Sequence, residues 1–98
     1  MIVNFGNRTA KDLWETQSTK GLPRDLQRRA LHLLTIMARF DTITQLRSLG
    51  EPPTLRFHKL KGARTDEYGI TIKLPYCITF KYKEGKYHEV KIENYHKG

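Results

Sequence analysis

The stretch Tyr68–Lys83 reads YGITIKLPYCITFKYK, and KYHEVKIENYH follows it over Lys86–His96. In the first half of that stretch Tyr68, Ile70, Ile72 and Leu74 alternate with Gly69, Thr71 and Lys73. In its second half Tyr76, Ile78, Phe80 and Tyr82 alternate with Cys77, Thr79, Lys81 and Lys83. Val90 and Ile92 then alternate with Glu89, Lys91 and Glu93. A period of two marks strands with one face buried. Pro75 marks the first turn, and Glu84-Gly85 suits a two-residue hairpin. The expectation is an antiparallel meander of three strands.

The same alternation lays Thr71, Lys73, Cys77, Thr79, Lys81, Lys83 and Lys91 on the second face. That face is expected to be polar, cationic and open. Its ordinary reading is a solvated surface. Its functional reading is a basic floor for a nucleic-acid strand.

Upstream the period changes. Ile2, Val3 and Phe5 suggest a short first strand that ends at Gly6. Asn7 or Thr9 is a candidate cap for a helix with Leu13 and Trp14 inside. Ser18 to Gly21 reads as a loop. Pro23 suits the first position of a long helix, with Asp25 complementing its dipole. Leu26, Ala30, Leu33 and Met37 recur there at helical spacing, with Leu34 and Ala38 beside them and Arg24, Arg28 and Arg39 off the stripe. Asp41 is a candidate cap for a further turn with Ile43, Leu46 and Leu49, before Gly50 and Pro52-Pro53 end helical structure. Strand, two or three helices, then a meander is an α+β order, with the helices packed on one face of a small antiparallel sheet.

The 98 residues are enough for one domain, 1–98, and too few for two. Eighteen Lys and Arg against ten Asp and Glu leave a formal charge of +8, which favours polyanionic partners. Cys77 is the sole cysteine, so an internal disulfide and thiolate metal clusters are excluded, and a reducing compartment follows. The start MIVNFGNR lacks the apolar stretch of a signal peptide, and no window is long enough to span a bilayer. A cytoplasmic protein with no membrane partner is expected.

The histidines are His32, His58, His88 and His96. His32 is mid-helix and reads as structural or superficial. His88 is in phase with Val90 and Ile92 and reads as a half-buried histidine. His58 opens HKLKGAR, a cluster of cations, and His96 closes the run Asn94-Tyr95-His96. The acids are scattered, so neither a divalent metal site nor a carboxylate pair is indicated. Cys77 is inside a strand, which suits no hydrolase nucleophile, and Gly62 alone makes no phosphate loop. Cleavage of RNA without a metal remains, because RNA carries its own 2′-hydroxyl nucleophile. Imidazole serves that reaction as base or acid, and Lys and Arg stabilise the growing phosphorane charge. His58, Lys59, Lys61, Arg64, Tyr95 and His96 are a sufficient set if their segments meet. The ordinary reading of the first segment is a basic loop with Gly62 at its turn.

HKLKG-x-R, YGI opening the next strand, Ile78-Thr79-Phe80 in the third and ENYH at the end resemble the HigB-type toxins of bacterial toxin–antitoxin modules, in the RelE/ParE superfamily. The resemblance covers nearly the whole chain and implies a RelE-like fold. It further implies a small endoribonuclease that cuts mRNA in the A site of the 70S ribosome and needs no metal or other cofactor. Its catalytic residues would be His58, Lys61, Arg64, Tyr95 and His96. Lys59, Lys73, Lys81 and Asn94 would assist in binding substrate. A helix-turn-helix antitoxin would neutralise it, and operator DNA would be met only through that complex.

Two positions depart from the family. Asn94 stands where Asp commonly precedes Tyr-His, and an amide cannot act as a base, although it can donate hydrogen bonds to RNA. Cys77 stands where Arg commonly follows the aromatic that opens the third strand, with Lys81 or Lys73 as replacements for the lost charge. Two other readings fit a basic domain of this order: a ParE-like inhibitor of DNA gyrase, and an RNA-binding domain without catalysis. The two histidines argue against the first. The core-side phase of the strand aromatics argues against the second.

Overall fold

A computed structural model describes residues 2–39, the backbone of 58–59, and residues 66–73 and 75–94. Two helices, α1 (Arg8–Thr16) and α2 (Arg24–Arg39), precede four strands. These are β1 (His58–Lys59), β2 (Glu67–Lys73), β3 (Tyr76–Lys83) and β4 (Lys86–Asn94). They form an antiparallel sheet in the order β1-β2-β3-β4. The α+β class and the meander are as the sequence implies. The helical turn expected beyond Asp41 lies outside the described residues.

The expected first strand forms only two isolated parallel bridges, Ile2 to Tyr87 and Phe5 to Val90. The reason is a bulge in β4. The β3–β4 register passes from Thr79–Lys91 to Lys81–His88, so Glu89 and Val90 together oppose Phe80. Glu89 takes a left-handed φ of 52° there. A regular ladder cannot run past this site, and asparagine side chains make up part of it. Asn4 Oδ1 accepts from Glu89 N at 2.6 Å. Asn7 Nδ2 donates to Ile92 O at 2.9 Å, while Asn7 Oδ1 accepts from Ala10 N at 3.1 Å as the cap of α1. One side chain thus starts α1 and ties it to β4.

His88 is half-buried as expected, but the bulge corrects its phase. Strict alternation pairs it with Val90 and Ile92. The extra residue inverts the phase, so Tyr87 is fully buried and His88 shares the other face with Lys81. Tyr87 packs edge-on against Phe80 at 5.1 Å between ring centroids. Ile70, Ile72, Ile78, Phe80, Val90 and Ile92 complete the sheet side of the core, against Leu13 of α1 and Leu26, Leu33, Leu34 and Met37 of α2.

Helix α2 starts at Arg24, one residue after the expected Pro23, whose carbonyl accepts from Leu26 N at 2.9 Å. Gln27 stitches the preceding loop, donating to Thr19 O at 2.7 Å and Leu22 O at 2.9 Å. Gly21 closes that loop against α1, where a Cβ would stand 2.1 Å from Thr9 Oγ1. Arg29 leaves α2 toward the sheet, and its Nε donates to Ile72 O at 2.6 Å. Ile72 lies where the β2–β3 register slips, between Thr71 and Lys73. At the hairpin Glu84 and Gly85 both take positive φ, 52° and 77°, the signature of a type I′ turn.

Candidate active site

The ladder places the site candidates in rows. The backbone of His58 pairs with Gly69, which faces Thr79, which faces Lys91. Lys59 pairs with Tyr68. Three rows away Tyr76 lies between Lys73 of β2 and Asn94 of β4. His58 and Lys59 therefore lie on one edge strand of the sheet, and Glu93 and Asn94 end the other edge strand. Three strand spacings, about 14 Å, separate β1 from β4. Among the described residues, His58 and Lys59 on β1 and Asn94 on β4 are thus on opposite edge strands and are not ladder partners. Lys61, Arg64, Tyr95 and His96 lie outside the described residues.

The sheet face expected to be open is closed over its short side chains, while Lys73 and Lys83 are exposed as expected. Thr79 is 0 % exposed, Cys77 1 % and Thr71 8 %. In the ladder these short side chains have the longer Glu67, Lys81, Lys91 and Glu93 as neighbours. The face is not a basic floor either. Lys81 Nζ lies 3.1 Å from Glu89 Oε2 and 3.7 Å from Asp66 Oδ2. Lys91 Nζ lies 3.5 Å from Glu67 Oε1, and that carboxylate is buried, as a charge can be when it is paired. The Thr79 hydroxyl donates to the Glu93 carboxylate. The acids were legible: Glu67 is in phase with Gly69 and Thr71, and Glu93 with Lys91. Counting cations alone missed them.

The consequences for the expected substrate-binding residues are unequal. The pKa of Lys81 is raised, first by its hydrogen bond to Glu89 and then by the charges of Glu89 and Asp66. It is a firmly protonated cation that is already engaged. Lys73 is exposed and has no ion-pair partner among the described residues. Asn94 is exposed beside it in the Tyr76 row. An ammonium and an amide flanking a half-buried tyrosine can meet a phosphate and a base edge. The remaining strand aromatics point into the core, with Phe80 and Tyr87 fully buried. They offer no stacking platform.

A family profile described as the RelE-like toxin of the type II toxin–antitoxin system HigB matches residues 3–96. The chain is also 32 % identical over 97 residues to Endoribonuclease HigB of Proteus vulgaris, covering 98 % of this chain and 100 % of that protein. The chain belongs to the HigB-like toxin family. Membership of a type II toxin–antitoxin family implies an antitoxin as partner. No helix among the described residues is long and apolar enough to cross a membrane.

Within the HigB-like framework the two departures acquire surroundings. Cys77 is directly opposite Glu93, so an arginine at that position would face this carboxylate. In this chain Glu93 is met by Thr79 instead. Of the two lysines considered as replacements for the missing charge, Lys73 has no ion-pair partner among the described residues and Lys81 is committed to Glu89 and Asp66. Asn94 ends β4 opposite Tyr76, immediately before Tyr95 and His96.

Proposed function

We propose that this toxin is a metal-independent endoribonuclease that cuts mRNA in the ribosomal A site and so stops translation. The observation that carries the reading is the match to a relative named as an endoribonuclease, which runs the length of the chain and through both the HKLKG and ENYH segments.

The chemistry asks for three actions. A base takes the 2′-hydroxyl proton as that oxygen attacks the adjacent phosphorus. Cations offset the charge on the phosphorane oxygens. An acid protonates the 5′ oxygen as its bond to phosphorus breaks, leaving a 2′,3′-cyclic phosphate and a 5′-hydroxyl end. His58, His96 and Tyr95 are the proton-transfer candidates, and Lys61 and Arg64 the phosphate-stabilising ones. Lys73, exposed at the end of β2, and Asn94 hold the substrate, with Lys59 and Lys81 as supporting cations. Asn94 acts as a hydrogen-bond donor and not as a base. The antitoxin is of helix-turn-helix type, and operator DNA is bound through the toxin–antitoxin complex.

The test is to add the protein to translating ribosomes and map mRNA ends. Cuts in frame with the A-site codon, bearing cyclic phosphate ends, are expected. Growth arrest in cells without such cuts would sink the reading, and double-strand DNA breaks would point to gyrase.

A further inference from the structure

Strand β2 carries a bulge of its own, next to the candidate substrate residues. The β2–β3 register passes from Thr71–Cys77 to Lys73–Tyr76, so β2 advances two residues while β3 advances one. Ile72 is the extra residue. A regular ladder running on from Thr71–Cys77 would set Ile72 opposite Tyr76 and leave Lys73 opposite Pro75. The bulge therefore brings Lys73 into the row it shares with Tyr76 and Asn94. Without it the ammonium and the amide would not flank the same tyrosine.

A bulge interrupts the ladder, so the backbone of its extra residue needs partners from elsewhere. Arg29 supplies one. It borders the buried stripe of α2, three residues after Leu26 and four before Leu33. From there its Nε donates to Ile72 O at 2.6 Å, across 43 residues of sequence. A guanidinium donor makes this bond charge-assisted, and so stronger than one between neutral groups. The contact ties the helix layer to the sheet at the residue whose insertion sets the place of Lys73.

We propose that Arg29 is a positioning residue for substrate binding. By holding the Ile72 carbonyl it fixes the β2 bulge, and the bulge keeps Lys73 beside Tyr76 and Asn94. The inference rests on the nuclease reading above, in which Lys73 and Asn94 hold the mRNA, and adds a residue that acts through Lys73. Lys73 meets the phosphate, and Arg29 meets the backbone that carries Lys73.

The test is a double-mutant cycle on single-turnover cleavage of ribosome-bound mRNA, over a series of toxin concentrations. Arg29→Met removes the donor and should raise the half-saturating toxin concentration about fivefold. The maximum rate should stay nearly unchanged, because binding is lost and not chemistry. In a Lys73→Ala background the same change should cost less than about twofold, since the residue it positions is gone. Arg29→Gln separates the bond from the charge: its amide N–H has the same reach as Nε and can hold Ile72 O without a cation. That variant should stay within about twofold of wild type. Both variants lose the charge, so the difference between them reports the hydrogen bond. Equal losses for Met and Gln overturn the proposal, because Arg29 would then act as a cation on the RNA itself. A Met loss that persists in full beside Lys73→Ala also overturns it, and a general effect on folding would give that result. The Gln arm stands even where the Met variant fails to fold: a folded Arg29→Gln that binds as weakly as Lys73→Ala is fatal to the proposal. The two readings fail separately. Wild type that cuts no ribosome-bound mRNA removes the nuclease reading, whereas a cutting wild type with equal Met and Gln losses removes the positioning role alone.

Discussion

Lys81 Nζ lies 3.1 Å from the Glu89 carboxylate, on the neighbouring strand and not in register with it. Glu89 reaches that position because it is the extra residue of the β4 bulge, with φ at 52°. The backbone irregularity that turns Tyr87 inward also takes the central cation of the sheet out of general circulation.

Lys73 and Lys81 should therefore differ as substrate residues. Lys73→Ala is expected to lower ribosome-bound mRNA cleavage about tenfold or more, the scale of one charge-assisted hydrogen bond. Lys81→Ala should lower it less than about threefold once folding is intact, since its charge already serves Glu89 and Asp66. Single-turnover cleavage rates of the two variants decide the order, and a larger loss at Lys81 refutes it.

The same pair sets an alkaline signature. Lys81 has a folded pKa raised above the ordinary 10.5, with the hydrogen bond to Glu89 as the largest cause. Its contribution is fully present below the unfolded value and fades as pH rises through the folded one. Lys81→Met should be less stable than wild type at pH 7 to 9, and the difference should shrink above the ordinary lysine range. Thermal melts across that range check it, and a gap that widens at high pH contradicts it.

Asn7 has two jobs that substitutions can separate. Asn7→Ala removes the α1 cap and the contact with Ile92 O, with an expected loss of about 1–2 kcal/mol. Asn7→Asp keeps the cap acceptor but loses the donor to Ile92 O, and should fall between Ala and wild type. Denaturant midpoints at constant slope give the comparison. An Asp variant as unstable as Ala would mean that the cap contributes nothing.

Cys77 is 1 % exposed inside β3. An aromatic disulfide reagent should modify it in the native protein at least about a hundredfold more slowly than in the denatured chain, because the buried thiol is out of the reagent's reach. Reaction at comparable rates would show that this face of the sheet opens readily.

The nuclease chemistry needs the 2′-hydroxyl. An mRNA with a single 2′-deoxynucleotide on the 5′ side of the scissile bond should resist cleavage while binding normally. Replacing His58 or His96 with Ala should lower cleavage by about a hundredfold, the range of one positioned acid or base. Full activity on the deoxy substrate would exclude attack by the neighbouring hydroxyl.

What was legible in the sequence was what depends on local period and turn chemistry. The buried face of α2, from Leu26 to Met37, follows from a repeat of 3.6, and both are as the spacing implies. The two-residue hairpin follows from Glu84-Gly85, and its backbone angles came from the structure. The HKLKG and ENYH segments were legible as candidate halves of a site because few residue types can move protons and offset phosphate charge at neutral pH. Pro23 misled by one position, since its ring suits both the first turn and the residue before it.

Only the tertiary structure decided the rest. A bulge is invisible to a period-two count, because it is an extra residue that the partner strand must accommodate. Through it Tyr87 and His88 exchanged faces. Burial of Thr71, Cys77 and Thr79 is also beyond a period-two count, which assigns a face but not what lies over it. Whether a lysine is free depends likewise on which carboxylate the register sets opposite it. The sequence determined which cations this chain owns, and packing decided that Lys81 and Lys91 are spoken for, while Lys73 and the off-stripe Arg24, Arg28 and Arg39 of α2 have no ion-pair partner among the described residues. Charge is a property of a residue, but availability is a property of its neighbours.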